Sequence, residues 1–174
     1  MTDPHTDPRA DPHTDPHTDA ATDLRIRPAE AADLPAIVAM LADDRLGAAR
    51  ESPDDLTPYR RAFERLVDDP NQYQVVAERD GRVVGTLQLT IIAGISRRGA
   101  TRSVIEGVRV HSDERGSGLG TRLIQWAIDE SGRQGCQLVQ LTSDASRTDA
   151  LRFYERLGFT ASHVGLKLSL ETGA

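Results

Sequence analysis

Residues 108 to 122 read Val108-Arg109-Val110-His111-Ser112-Asp113-Glu114-Arg115-Gly116-Ser117-Gly118-Leu119-Gly120-Thr121-Arg122. A β-branched run ends, three alternate glycines follow, and an amphipathic stretch opens with Leu119, Leu123, Trp126 and Ala127 at helical spacing. The chain must leave a strand, turn tightly and enter a helix. Glycine lets backbone come close to a ligand. The first turn of a helix carries unpaired N–H groups and the positive end of its dipole. Together they make an anion site suited to a phosphate or pyrophosphate, and Arg115 and Arg122 add charge. Two nucleotide loops fit poorly. A G-x-x-x-x-G-K-[ST] loop needs a lysine, and the chain's only lysine is Lys167. A dinucleotide fingerprint needs G-x-G-x-x-G, whereas this turn reads G-x-G-x-G. A turn that merely joins strand to helix stays open, although one glycine would serve it.

The rest of the pattern predicts a mixed α+β order around one central sheet. Leu24–Pro28 reads as a strand. Asp33 caps a helix to about Leu46, with Leu34, Ile37, Val38 and Leu41 on one face and Pro35 in its first turn. A second helix runs from Asp54/Asp55 to Val67. Tyr73–Arg79 and Arg82–Ala93 form a hairpin, because Asp80-Gly81 supplies a primed turn. Arg102–His111 is a strand, 118–131 a helix, Gln137–Thr142 a strand, Arg147–Leu157 a helix ended by Gly158, and His163–Leu170 a last strand.

Residues 1–23 differ from all of this. They repeat a TDPH-like unit and hold six Asp and one Arg, for a charge of −5; the other 151 residues carry 20 basic and 21 acidic groups. The leader has no aromatic or branched aliphatic residue, so it cannot bury enough surface to offset chain entropy and is expected to be disordered. It lacks the apolar stretch of a secretory signal. Pro16 between His13 and His17 prevents a preformed two-histidine face, so no metal site is expected there or with His5. The balanced body, 24–174, argues against wrapping nucleic acid. The chain has no run of about 18 apolar residues that would span a membrane. A single cysteine, Cys136, excludes an intrachain disulfide and points to a reducing, cytoplasmic setting.

Two motifs then converge. Arg115-Gly116-Ser117-Gly118-Leu119-Gly120 resembles the R/Q-x-x-G-x-G/A pyrophosphate loop of the GCN5-related N-acetyltransferase (GNAT) superfamily. Downstream, Ala150-Leu151-Arg152-Phe153-Tyr154-Glu155-Arg156-Leu157-Gly158-Phe159 resembles that superfamily's A-x-x-x-Y-E-x-x-G-F box. Their order and spacing match, and the resemblance covers about residues 24–170. It implies a mixed, mostly antiparallel sheet of six or seven strands flanked by helices. The fourth and fifth strands, about 102–111 and 137–142, splay into a V that takes acetyl-CoA. The pyrophosphate would rest on the amides of Arg115 to Gly120, with Thr121 next in the helix, and the pantetheine would run along Val108, Arg109 and Val110. The implied activity is direct acetyl transfer to a primary amine of a small molecule, or of a protein.

Such chemistry needs a base for the amine, a donor for the oxyanion and an acid for the departing thiolate. Tyr154 is the expected acid, since a phenol with pKa about 10 is close enough to a thiol to protonate it. The Val110 N–H is the expected oxyanion donor. Glu106 is the expected base: two residues before Val108, it should share the side of Val108 and Val110 in an otherwise apolar segment that raises its pKa. His111 is the runner-up. Each has a plainer alternative: a core aromatic, a solvated sheet residue, an exposed loop histidine. Arg147 stands where the superfamily often has an Asn that holds the pantetheine arm, and Thr142-Ser143-Asp144 is the expected substitute.

Two segments should frame the acceptor. Asp43–Glu51 is acidic and would suit an aminium. Gly94–Arg102 carries Arg97, Arg98 and Arg102, which would meet an anionic acceptor or the cofactor of a neighbouring chain, leaving a homodimer open. The Thr142–Phe159 stretch is similar to aminoalkylphosphonate acetyltransferases, and an antibiotic-resistance acetyltransferase would look the same. The rival class is a non-catalytic acyl-CoA-binding sensor, which would keep the turn and need neither Tyr154 nor Glu106.

Overall fold

The computed structural model describes residues 24–43 and 47–170. The leader 1–23 with its histidines, and Asp44, Arg45 and Leu46 of the acidic segment, lie outside the described residues.

Five strands form one sheet in the order β1 to β5: β1 Leu24–Pro28, β2 Gln72–Arg79, β3 Arg82–Ile92, β4 Arg102–Val110 and β5 Leu138–Leu141. The first three junctions are antiparallel and β4–β5 is parallel. The helices are α1 Leu34–Ala42, α2 Thr57–Val67, the single-turn α3 Ser96–Gly99, α4 Leu119–Arg133 and α5 Thr148–Arg156. This is the α+β order that the pattern implied and the mostly antiparallel sheet that the resemblance implied. One face packs Leu87, Leu89 and Ile105 against Leu119, Leu123 and Ala127 of α4. The other packs Val76 against Leu34 and Ile37 of α1 and Phe63 of α2. The hairpin turns as its chemistry demands: Asp80 and Gly81 sit at φ 51° and 73°, the left-handed pair of a primed turn. Among the described residues no helix is long and apolar enough to cross a membrane.

Pairing of β4 with β5 runs from Arg102↔Leu138 to Ile105↔Leu141 and stops. Beyond it, Thr86 and Gly85 of β3 still pair with Arg109 and Val110. The sheet therefore opens after Ile105, which is the expected splay.

Three expectations need correction. Asp33 does not cap α1 with its side chain. It belongs to a 3-10 turn, Ala31–Asp33, and its carboxylate reaches back to the Glu30 amide at 2.8 Å and to Arg27 at 2.7 Å. The helix ends at Ala42 rather than near Leu46, because Asp43 leaves helical geometry at ψ 41° and is held by Arg115. His163–Leu170 is not a strand, and the sheet has five strands among the described residues instead of six or seven. Alternation of apolar residues makes a segment fit to be a strand; only a backbone partner makes it one.

Candidate active site

The turn between β4 and α4 is shaped by two left-handed glycines, Gly116 at φ 82° and Gly118 at φ 86°. A Cβ on either would meet nothing within 4 Å, so the space beside them is open. Some of the amides are spent inside the turn: Arg115 N donates to Ser112 O and Ser117 N to Glu114 O, both at 3.2 Å, and Leu119 N makes a long 3.4 Å contact with Ser117 Oγ. The amides of Gly116, Gly118, Gly120 and Thr121 find no acceptor among the described residues. They sit at the N-terminus of the 15-residue α4, where the helix dipole favours an anion. Gly120 differs: a Cβ there would rest in ordinary van der Waals contact, 3.5 Å from Phe153 Cζ and 3.8 Å from Val110 Cγ2, so its flank is packed against α5 and β4 rather than open. Two ion pairs anchor the turn: Arg115 to Asp43 at 2.6 Å, and Arg79 to Glu114 at 2.7 Å. Asp43, assigned to the acceptor side on sequence, thus braces the turn.

Successive amides along a strand point to opposite edges. His111 N donates to Val84 O at 2.9 Å, toward β3. The Val110 N–H therefore points to the other edge, into the opening where β5 no longer runs alongside. Within the same stretch, Val108 O accepts a hydrogen bond from Arg109 Nη1 at 2.9 Å.

Glu106 faces the opposite way from the sequence expectation. Gln88 pairs with Glu106 but Thr86 pairs with Arg109, so Leu87 opposes both Gly107 and Val108. Gly107, at φ 59°, is the extra residue of a β-bulge. The bulge breaks the two-residue alternation. Val108 and Val110 pack toward the α4 core, while Glu106 lies in a row with Gln74 and Gln88 on the other face. It is exposed, and its surroundings are polar: Gln88 Nε2 and Thr90 Oγ1 both donate to Gln72 Oε1, at 2.9 and 2.8 Å. A lone glycine inside a strand pattern is the signal that would have found the bulge.

Tyr154 projects from α5 onto the edge of the α4 core, in edge-to-face contact with Phe153 at 5.1 Å and Phe159 at 5.9 Å. Burial pushes its phenol above the ordinary tyrosine value, while the charges of Arg147 and Arg109 pull it back part of the way. The coupling to Arg109 links Tyr154 on α5 with the free stretch of β4.

The remaining sequence expectations divide. His111 Nδ1 accepts from the Asp113 amide at 3.3 Å and caps the turn after β4. Asp144 is occupied by Ser146, whose hydroxyl and amide reach Asp144 Oδ1 at 2.6 and 2.9 Å and hold the carboxyl below its ordinary value. Arg97 and Arg98 both sit at positive φ, 52° and 63°, at an exposed hairpin tip. A cavity of about 950 Å³ lies elsewhere. It flanks β5 and α5, is lined by Tyr154, and includes no residue of β4 or of the glycine turn.

Residues 34–159 match the family model described as the acetyltransferase (GNAT) family. The chain is similar to the aminoalkylphosphonate N-acetyltransferase of Salmonella typhimurium, 29% identical over 138 residues that cover 79% of this chain and 86% of that one. Among solved structures it is similar to one described as a transcriptional regulator from Bacillus halodurans C-125, with TM-score 0.82 and 46% identity over 84% of this chain and 99% of that one. The glucosamine-6-phosphate N-acetyltransferase of Arabidopsis thaliana shares the fold, with TM-score 0.71 and 21% identity over 85% and 99% of the two chains.

Proposed function

The chain belongs to the acetyltransferase (GNAT) family of acyltransferases, and from that premise we propose that it transfers an acetyl group from acetyl-CoA directly to the primary amine of a small molecule. One observation carries the reading: the sheet parts after Ile105, with the Val110 N–H facing the gap and the open glycine turn just beyond it.

The residues fit that donor. The pyrophosphate would be held by the amides of Gly116, Gly118, Gly120 and Thr121, with the arm running along Val108–Val110. When bound, acetyl-CoA supplies an activated thioester. The chain supplies the rest. Val110 N–H donates to the oxyanion that forms as the amine adds. Tyr154, kept protonated by burial, gives its proton to the departing sulfur. Glu106 lies on the far face of β4 from Val108, so it takes the amine's proton from the acceptor side, through a water. The Gln74–Gln88–Glu106 row makes that side polar and hydrogen-bonding. The similarity to an enzyme named for aminoalkylphosphonates supports a small aliphatic amine as acceptor.

A second reading, a non-catalytic acyl-CoA-binding sensor, draws on the description of the 46% identical Bacillus structure as a transcriptional regulator. Thiol release from acetyl-CoA over a panel of small amines, aminoalkylphosphonates and amino sugars among them, separates the two. Turnover with any amine supports transfer. Tight acetyl-CoA binding without turnover across the panel supports the sensor. Gly118→Glu should abolish acetyl-CoA binding in calorimetry, because it fills the cradle with like charge. Gly118→Ala carries the same backbone strain without the charge and should lose much less. Equal losses in the two variants would sink the pyrophosphate assignment.

A further inference from the structure

A row of polar side chains crosses the face of the sheet that carries Glu106. Gln74 of β2 pairs with Gln88 of β3, and Gln88 pairs with Glu106 of β4. Cross-strand partners place their Cβ atoms roughly 5 Å apart on a shared face. Val76, two residues along β2 from Gln74, shares that face and packs there against α1 and α2. Gln74 and Gln88 are half-buried and Glu106 is exposed, so the row runs from the sheet interior out to solvent.

Hydrogen bonding fixes which end of each amide is left over. Thr86 Oγ1 spends its proton on Val75 O at 2.8 Å, so it accepts from Gln74 Nε2, also at 2.8 Å. The same Nε2 donates to Leu87 O at 3.1 Å. Gln88 is held in the same sense: its Nε2 donates to Gln72 Oε1 at 2.9 Å, an oxygen that also accepts from Thr90 Oγ1 at 2.8 Å. Both amide nitrogens are thus engaged within the sheet, and neither Oε1 meets a donor among the described residues. With the Glu106 carboxylate beside them, these oxygens offer lone pairs only, which take a hydrogen-bond donor and repel an anion. The acidic segment after α1 does not compete for that donor with its described carboxylates. Asp43 is held by Arg115 at 2.6 Å, and Glu51 accepts from the Tyr59 hydroxyl at 2.8 Å.

We infer that Gln74 and Gln88 determine which acceptor is taken, by recognising an unsubstituted primary aminium. Its N–H groups go to Gln74 Oε1, to Gln88 Oε1 and to the water through which Glu106 acts. The inference rests on the acetyl-transfer reading and adds to it the atoms that tell one amine from another. Once Glu106 has taken one proton through the water, two N–H groups remain, one for each amide oxygen. An N-methylated aminium has one N–H fewer and sets its methyl against a half-buried oxygen, which is then left unpaired. A site built to hydrogen-bond a group rejects the analogue that lacks it for this reason.

Thiol release from acetyl-CoA tests this, with every amine of the panel, aminoethylphosphonate and glucosamine included, run beside its N-methyl derivative. The wild-type chain should favour the primary amine in kcat/KM by about 10-fold or more. Gln88→Met keeps the length of the side chain and removes the oxygen. It should lower kcat/KM for the primary amine about 10-fold and leave the N-methyl amine nearly unchanged, so that the preference collapses. The KM for acetyl-CoA should not move, since the row includes no residue of the glycine turn. Gln74→Met should reduce the preference in the same way; it also strips Thr86 and Leu87 of a donor, so its melting temperature should fall while that of Gln88→Met should not. Equal losses for both amines, a preference that survives in both variants, or a wild-type chain that takes both amines equally well overturns the inference. Acetyl-CoA binding without turnover of any amine is a different result: it removes the transfer reading itself, and the inference with it.

Discussion

Residues 24–133 and residues 134–170 are finished to different degrees. Every buried residue of the described chain lies between Leu24 and Ser131; β5, α5 and the segment after them contribute none. The first region holds the glycine turn and the free edge of β4 on a core sealed on both faces of the sheet. The second carries Tyr154 on a helix whose contacts are half-buried aromatics and aliphatics. The difference separates two tasks. The cradle for an anion must be rigid, since its amides work only at fixed spacing. The element that carries Tyr154, the proposed acid, is held less firmly.

The contrast can be broken at its strongest point with Leu123→Ala. Leu123 is fully buried between α4 and the sheet, so the change should cost about 2–5 kcal/mol in urea denaturation. A cost below 1 kcal/mol would mean that the first region is not the stable one.

Next comes a substitution in the second region that should affect rate instead of stability. Tyr154→Phe should lower kcat about 10²-fold with little change in Tm. The sign of its pH dependence follows from burial, which raises the phenol pKa above the ordinary value. The acid stays protonated through neutral pH, and wild-type activity falls only at alkaline pH beyond the usual tyrosine range. The Phe variant should lose that alkaline limb. Glu106→Gln should change the acid limb instead. A kcat within about twofold of wild type for Tyr154→Phe, with chemistry rate-limiting, removes Tyr154 as the acid.

A smaller effect is expected at the ion-paired corner of the first region. Arg27 bridges Asp33 and Glu78, each at 2.7 Å. Burial alone would raise the Asp33 carboxyl, but the Arg27 hydrogen bond and the Glu30 amide hold it below the ordinary value. A carboxyl depressed in the folded state stabilises above its unfolded pKa, and that stability is lost as pH falls through the folded value. Asp33→Asn should therefore cost about 2 kcal/mol at pH 7 and progressively less in acid. Equal costs at pH 7 and pH 3 would show that the charge is not responsible.

The smallest change sharpens the comparison from the other side. Leu157→Ala, on the half-buried rim of α5, should cost about 1 kcal/mol or less in the dilute chain. A cost equal to that of Leu123→Ala would erase the distinction between the regions.

How much of this was legible beforehand follows the range of the interactions. The β2–β3 hairpin, the strand–turn–helix around the glycines and the box on α5 were readable, because turn chemistry and apolar period act over a few residues. Asp33 was misread: its sequence position suits a cap, yet Arg27 from β1 competes for the carboxylate. The Asp43–Arg115 ion pair was out of reach for the same reason, since Arg115 lies 72 residues away in the chain.

The sequence by itself determined the family, the α+β order and the glycine turn, all carried by local patterns that hold wherever the neighbouring elements sit. Only the tertiary structure decided which way Glu106 faces and what becomes of residues 163–170. The first depends on a register shift between β3 and β4, which neither strand encodes alone. The second depends on whether a backbone edge lies within reach, because a strand's hydrogen bonds belong to the pair and not to the segment.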